Sequence, residues 1–330
     1  SARCRQPKRL NNLGFAVEPI VNVVLPVFAI IFCGYVSGRM KVLGEASSEA
    51  LNGFVYYVAL PVLLFFSMAR VEPAEIFQWQ FIGAFALGSA ATLLIAFAIS
   101  RWVFKARMAE TSLFGMTAIF GNTGFMGIPL AIVAFGPEAA LPAIIATVFQ
   151  SLILLALVAA LIEMDLSGGR AGGNALADTG RALIKNPLLI SSAAGIAWPL
   201  RGAKLPVPVA TFCEILSAAA GPSALFAIGL FMVGKPLRAG MGEVASMSIL
   251  KLIVQPAITW WLAVNVFEMA PMWAAMAILM AALPAGANCF VLAQNYGVYV
   301  QRTSAAVLIS TIVAVMTLSV LFGMPIMDPK

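Results

Sequence analysis

Histidine is absent from this 330-residue chain, and only 10% of its residues carry charge. The first shortage removes the commonest general base and metal ligand. The second leaves no paired carboxylates inside the apolar runs and no GxSxG nucleophile turn, so nucleophilic and acid–base catalysis lack their parts. The chain reads as something other than an enzyme. Cysteine is also sparse: Cys4, Cys33, Cys213 and Cys289 stand far apart, with no CxxC or other metal-ligand spacing. Neither a metal nor another cofactor is expected. The short "GNTG" at 121–124 resembles a phosphate-cradling loop, but the lysine such a loop needs does not follow it.

What fills the chain instead is apolar. Hydrophobic residues make up 62%, and the mean hydropathy is +0.97. A soluble domain needs far more polar surface, so the fold class is an all-α polytopic membrane protein. The first apolar run, Ile20 to Gly38, is long enough to span and so reads as a helix rather than a cleaved signal peptide. A net charge of +6 raises nucleic acid as a partner, but the bases sit in short loops between apolar runs. That placement is a topology signal, and membrane lipid is the expected surrounding.

About 20 apolar residues cross a bilayer. Gaps between charges predict ten helices, near 19–38, 50–69, 79–100, 111–135, 139–162, 183–200, 208–234, 242–267, 271–297 and 303–326. The sixth is the shortest, with its charge-free run held between Lys185 and Arg201. Gly-rich "MDLSGGRAGGNALADTGR" after the fifth reads as a linker. Most loop bases, from Arg39 and Lys41 through Arg181 and Lys185 to Arg302, fall on one face. That face is expected to be cytoplasmic, which puts both termini outside in a cell inner or plasma membrane; Arg3, Arg5, Lys8 and Arg9 of the tail oppose this.

The fourth predicted helix has no charge between Glu110 and Glu138, yet its middle reads "GNTGFMGIP" (121–129). A second stretch, "LPAGANCF" (283–290), is also rich in small residues, with Pro284 and Asn288. The two lie 161 residues apart, and the same offset places "PVLLF" from Pro61 on "PSALF" from Pro222, and Gly136 on Gly297. Five helices per copy is odd, so the second copy enters the membrane from the opposite face. The organisation predicted is a tail (1–18), a first repeat (19–163), a linker (164–182) and a second, inverted repeat (183–326). Inverted repeats carry substrate near the midplane on interrupted helices, here the fourth and ninth. Glycine and proline at bilayer depth free backbone groups that survive only where protein buries them or a wet cavity receives them. Such groups and helix-end dipoles make a polar site without net charge. The same residues also ease helix packing or kink a single helix, and for either segment alone that reading stands beside the first.

The stretches "LPVFAIIFCGYVSGR", "NGFVYYVALPVLLF", "GNTGFMGIPLAI", "LPAGANCFVLAQNYG" and "STIVAVMTL" resemble the auxin efflux carrier family, from about Asn22 to Pro325. That family includes the plant PIN-formed carriers and bacterial permeases, some associated with malonate. The resemblance implies ten helices in two inverted repeats, with helices 4 and 9 broken and crossing near their prolines. It also implies a scaffold built from the first two helices of each repeat, and a transport domain that moves like an elevator. By motif, Asn122 falls on the asparagine that faces the substrate carboxylate, and Pro129 on the proline of the same segment, with Thr123, Gly124 and Met126 between them. Pro284 matches the "LP" of the ninth helix, "KLIVQP" (251–256) a basic-to-proline segment of the eighth, and "QSLILLALVAALIE" from Gln150 a segment of the fifth. The acidic and basic pair of the plant carriers' third helix has no counterpart in "FIGAFALGSAA", which puts coupling through that pair in doubt.

The substrate-binding candidates are therefore Asn122, Thr123, Gly124, Met126, Pro129, Gln150, Lys251, Pro284 and Asn288. Lys251 is the one base well inside a predicted span. It attracts an anion or gates its path, or else it snorkels or neutralises a helix end. Gln255, Gln294, Asn295 and Asn265 read as bonds between neighbouring helices, and Glu214 as a rim carboxylate. The leading function is a secondary carrier of small organic anions, malonate-like or aromatic carboxylates. Alternatives are a channel or lipid-facing structural protein, and a sodium- or proton-coupled antiporter, which usually places acids at the crossing. Oligomeric state stays open, a homodimer included.

Overall fold

The computed structural model describes residues 25–70, 78–166, 185, 187–199, 205–234 and 240–328. The predicted tail lies outside them, as does the linker from residue 167 onward; residues 164–166 continue the preceding helix instead. The described residues are helical, with no strand beyond one isolated bridge. In order they form α1 (Leu25–Arg39), α2 (Ala46–Met68), α3 (Trp79–Val103), α4 (Met108–Ile119), α5 (Thr123–Phe135), α6 (Pro137–Phe149) and α7 (Leu155–Leu166). There follow α8 (Pro187–Ala197), α9 (Val207–Phe231), α10 (Met241–Val266), α11 (Pro271–Ala282), α12 (Ala287–Tyr296) and α13 (Val300–Phe322). Five of these, α2, α3, α9, α10 and α13, are long and apolar enough to cross a membrane. The outer surface fits that solvent: Phe32, Tyr57, Leu94, Val207, Ile215 and Met316 are exposed rather than packed away. Trp79 and Trp102 are exposed at opposite ends of α3, where aromatic rings anchor a helix at the two interfaces.

Prolines shape the helices in a repeated way. A proline inside a helix lacks the N–H for its own bond, and its ring crowds the carbonyl four residues back. The helix can widen there into a π turn. Three π turns end two residues before a proline: Val55–Ala59 before Pro61, Thr123–Gly127 before Pro129, and Leu250–Val254 before Pro256. Pro129 itself therefore sits in the first turn of regular α-helix. The break in the fourth predicted helix is not at Pro129 but at 120–122, where Phe120 is extended (φ −82°, ψ 101°) and Asn122 has ψ 57°. The ninth breaks beside its proline, with Leu283 (ψ 149°) and Gly286 (ψ 148°) extended.

Glycines set how the helices meet. Gly34 of α1 lies against the Phe226 carbonyl and Gly229 of α9 against the Ile31 carbonyl, so these two helices touch backbone to backbone. A side chain added at Gly195 of α8 would come within 2.7 Å of the Phe65 carbonyl of α2. Without a hydrophobic drive in lipid, close small-residue contacts of this kind hold helices together. One packing group is thus α1 with α9 and α2 with α8. In a second, α4 packs on α3 and α7, α10 on α3 and α11, and α13 on α10 and α12. The two breaks lie at the heart of this second group.

Candidate functional site

The two breaks meet each other. Gly121 and Ala285 pair as an antiparallel bridge. The Asn122 N–H donates to the Pro284 carbonyl at 2.8 Å, and the Gly286 N–H donates to the Phe120 carbonyl at 2.9 Å. The Ala285 N–H donates to Ser310 Oγ of α13 at 3.1 Å. Backbone groups freed by interrupting two helices are thus largely spent on each other, as burial in an apolar medium requires. Glycine is needed at the crossing for room. A Cβ on Gly286 would stand 3.0 Å from the Gly121 oxygen, and one on Gly121 would stand 3.3 Å from Lys251 Nζ.

Beside the crossing lies a small, partly open cavity. Its wall includes Gly121, Asn122, Thr123 and Gly124 from one break, and Gly286, Ala287 and Asn288 from the other. Phe120 and Phe125 flank the first break, and Tyr56 and Leu60 of α2, Thr147 of α6, Ser151 of the turn Gln150–Leu154 and Leu188 of α8 complete it. Among the described residues its wall carries no acid or base other than the Tyr56 phenol. Two helices start here, α5 after Asn122 and α12 after Gly286, and neither is capped by a side-chain hydrogen bond. First-turn N–H groups have no partner inside their own helix. Two positive dipole ends, uncapped by side chains among the described residues, therefore converge on one small space, an arrangement suited to an anion.

Four predicted residues line this cavity: Asn122, Thr123, Gly124 and Asn288. The other five do not. Met126 is buried in the main core. Pro129 is buried with its ring against the Gly221 position of α9. Pro284 contributes its carbonyl to the crossing. Gln150 opens the π turn Gln150–Leu154 and is fully buried, with neither amide atom hydrogen-bonded among the described residues. Lys251 is also fully buried. It stands behind Gly121, donating to Gln255 Oε1 at 2.7 Å and to the Ala281 carbonyl at 2.6 Å. Gln255 in turn donates to Ser89 Oγ of α3 at 3.1 Å, a helix-to-helix bond of the kind expected of it.

Thr147 and Ser151 were not among the candidates. Their signal is polar residues at i and i+4 on one face of an otherwise apolar helix, weak because Thr and Ser commonly bond their own backbone, as Thr147 does to the Ala143 carbonyl. Tyr56 sits in an apolar run with nothing to mark it.

Interrupted helices around a cavity, inside a protein whose outer face is apolar, are the architecture of a multi-pass membrane protein, and its relatives make it a transporter with a small-molecule substrate rather than an enzyme. The chain belongs to the auxin efflux carrier family: the family described as "Membrane transport protein" matches residues 19–322. It is 31% identical over 302 residues to the "Putative malonate transporter" of Rhizobium meliloti, covering 91% of this chain and 94% of that one. To "Auxin efflux carrier component 5" of Arabidopsis thaliana it is 22% identical over 338 residues, covering 90% and 94%. An uncharacterized transporter of Methanocaldococcus jannaschii is 24% identical over 304 residues, covering 88% and 94%.

Proposed function

We propose that this chain is a secondary carrier of small organic anions, working by elevator-type alternating access, and that dicarboxylates such as malonate are its substrates. The observation that carries the reading is the pair of uncapped helix starts, α5 and α12, facing one cavity whose wall, among the described residues, holds no carboxylate. A carboxylate would accept from the first-turn N–H groups of both helices and from the Asn122 and Asn288 amides, while Thr123 and Gly124 shape the floor. The name of the Rhizobium relative points to the same chemical class. A cation antiporter is less well supported, since the described residues of the wall offer a cation no acid.

Ten spans in two inverted repeats, 19–163 and 183–326 around the linker 164–182, go with this reading. So do a cell inner membrane and non-cytoplasmic termini. The glycine-tight pairing of α1 with α9 and of α2 with α8 supports a static scaffold. The crossing and its neighbours would form the moving part, carrying the cavity across a fixed frame.

The test is uptake of labelled malonate, and of an aromatic carboxylate, into proteoliposomes holding the full chain. Saturable uptake with counterflow is expected. Flux that never saturates would indicate a channel, and failure across a broad carboxylate panel with folded protein would reject the carrier reading.

A further inference from the structure

The least explained group near the crossing is Lys251. Its amine has no exposure, and among the described residues no carboxylate pairs with it; the ion pair found there joins Arg302 to Glu243. Removing an ammonium from water without a counter-charge is costly in any protein and more so at bilayer depth. What faces it instead is dipolar. The Ala281 carbonyl belongs to the last turn of α11, the negative end of that helix, and Gln255 turns its oxygen to the amine while its nitrogen is held by Ser89. These partners keep the amine in place without cancelling its charge. On the other side stands Gly121, which lines the cavity; a side chain there would lie 3.3 Å from Nζ and 3.4 Å from Cε. One glycine peptide separates this amine from the cavity.

We propose that Lys251 is a resident positive charge that makes this cavity select anions by their charge, acting through the Gly121 peptide without touching the substrate. The inference rests on the organic-anion reading above and adds a positioning residue to it. The proline-widened turn Leu250–Val254 orients the amine, and the α11 end fixes it. Because Gly121 has no side chain, the low-dielectric gap between amine and cavity stays one backbone thick. A mere helix cap would support every ligand alike. A charge supports each ligand in proportion to its own charge, and at about 10 Å with an effective dielectric of about 20 the factor is roughly ten-fold per unit charge.

The experiment compares two probes of nearly the same shape near neutral pH: malonate, with two negative charges, and malonamate, with one. Binding of each to the full chain in detergent is measured by titration, for wild type and for Lys251→Met. The expected result is that malonate binds more tightly than malonamate in wild type, and that their affinity ratio falls roughly ten-fold in the variant. Loss of the amine orphans the Gln255 oxygen, so Lys251→Met with Gln255→Leu removes both partners and should show the same fall. Gln255→Leu alone keeps the charge and should keep the ratio. A ratio unchanged in Lys251→Met, whether both probes weaken together or neither does, overturns the proposal. An equal fall on Gln255→Leu alone would assign the effect to packing and overturn it as well. A folded wild type that binds neither probe fails the organic-anion reading itself, and the role of Lys251 falls with it.

Discussion

Replacing Asn122 with alanine should cost the carrier its substrate but not its fold. The structure sets both halves of that expectation. Asn122 holds the crossing through its backbone, its N–H donating to Pro284 and its carbonyl accepting from the Met126 and Gly127 N–H groups at 3.1 and 2.9 Å. Alanine keeps all three bonds. The side chain, although at the N-cap of the Thr123–Gly127 turn, makes no capping hydrogen bond, so the usual cap penalty of about 1 kcal/mol does not apply. Asn122 is buried, so stability in a detergent melt should fall by about 1 kcal/mol at most, the centre of the range for single substitutions. If the amide donates to a carboxylate, its removal costs about 1.5–3 kcal/mol, or roughly ten- to a hundred-fold in affinity. The assay pairs a thermal melt with concentration-dependent malonate counterflow in proteoliposomes. An unchanged half-saturation would remove Asn122 from the site. A melt that drops in step with transport would show that the side chain is structural and refute the separation.

Three further perturbations have definite outcomes. Gly286→Ala has an allowed backbone (φ −78°, ψ 148°), so its cost comes only from a Cβ 3.0 Å from the Gly121 oxygen; overpacking of about 1–3 kcal/mol should appear in a thermal melt, with transport reduced. Gly229→Leu, placed where α9 touches the α1 backbone, should prevent that pairing and abolish a monodisperse peak in size-exclusion chromatography. Pro129→Ala restores a backbone N–H after the Thr123–Gly127 turn, so that turn can relax toward α geometry; stability should hold or rise while uptake falls, and wild-type uptake would detach the turn from function.

Much of this arrangement is legible in the sequence because charge is so scarce. Each gap between charges predicted a helix; the described residues in those regions are mostly helical, and five of the helices are long and apolar enough to cross a membrane, while the sixth region holds only Pro187–Ala197. The two interruptions were legible from small residues that no packing helix needs in such number. The exact break was not. Pro129 is the most conspicuous helix-breaker in its segment, yet the helix accommodates it by widening and breaks further upstream, at a phenylalanine, a glycine and an asparagine. What selects that point is tertiary: the Pro284 carbonyl and the Gly286 N–H supply the partners that Asn122 and Phe120 lose, and one segment alone cannot announce bonds made by another 162 and 166 residues away. Thr147, Ser151 and Tyr56 were missed for the related reason that a wall residue is defined by the cavity rather than by its neighbours in sequence.

The π turns suggest how a site of this kind is assembled from local rules. At three places a proline stands two residues after a widened turn, and widening rotates the preceding side chains relative to an ideal helix. Tyr56 lies in the turn before Pro61, Thr123 and Gly124 in the turn before Pro129, and Lys251 in the turn before Pro256. The first three line the cavity, and the fourth stands one glycine behind it. Three separate helices thus use the same device, and each directs a polar or small residue toward one place. Each device is fixed by its own short stretch of sequence, whereas the crossing needs two stretches at once. The prolines can then be read as setting the orientation of the wall and the glycines as setting the distance across it, so the two residue types should fail differently: proline substitutions in transport at constant stability, glycine substitutions in both together.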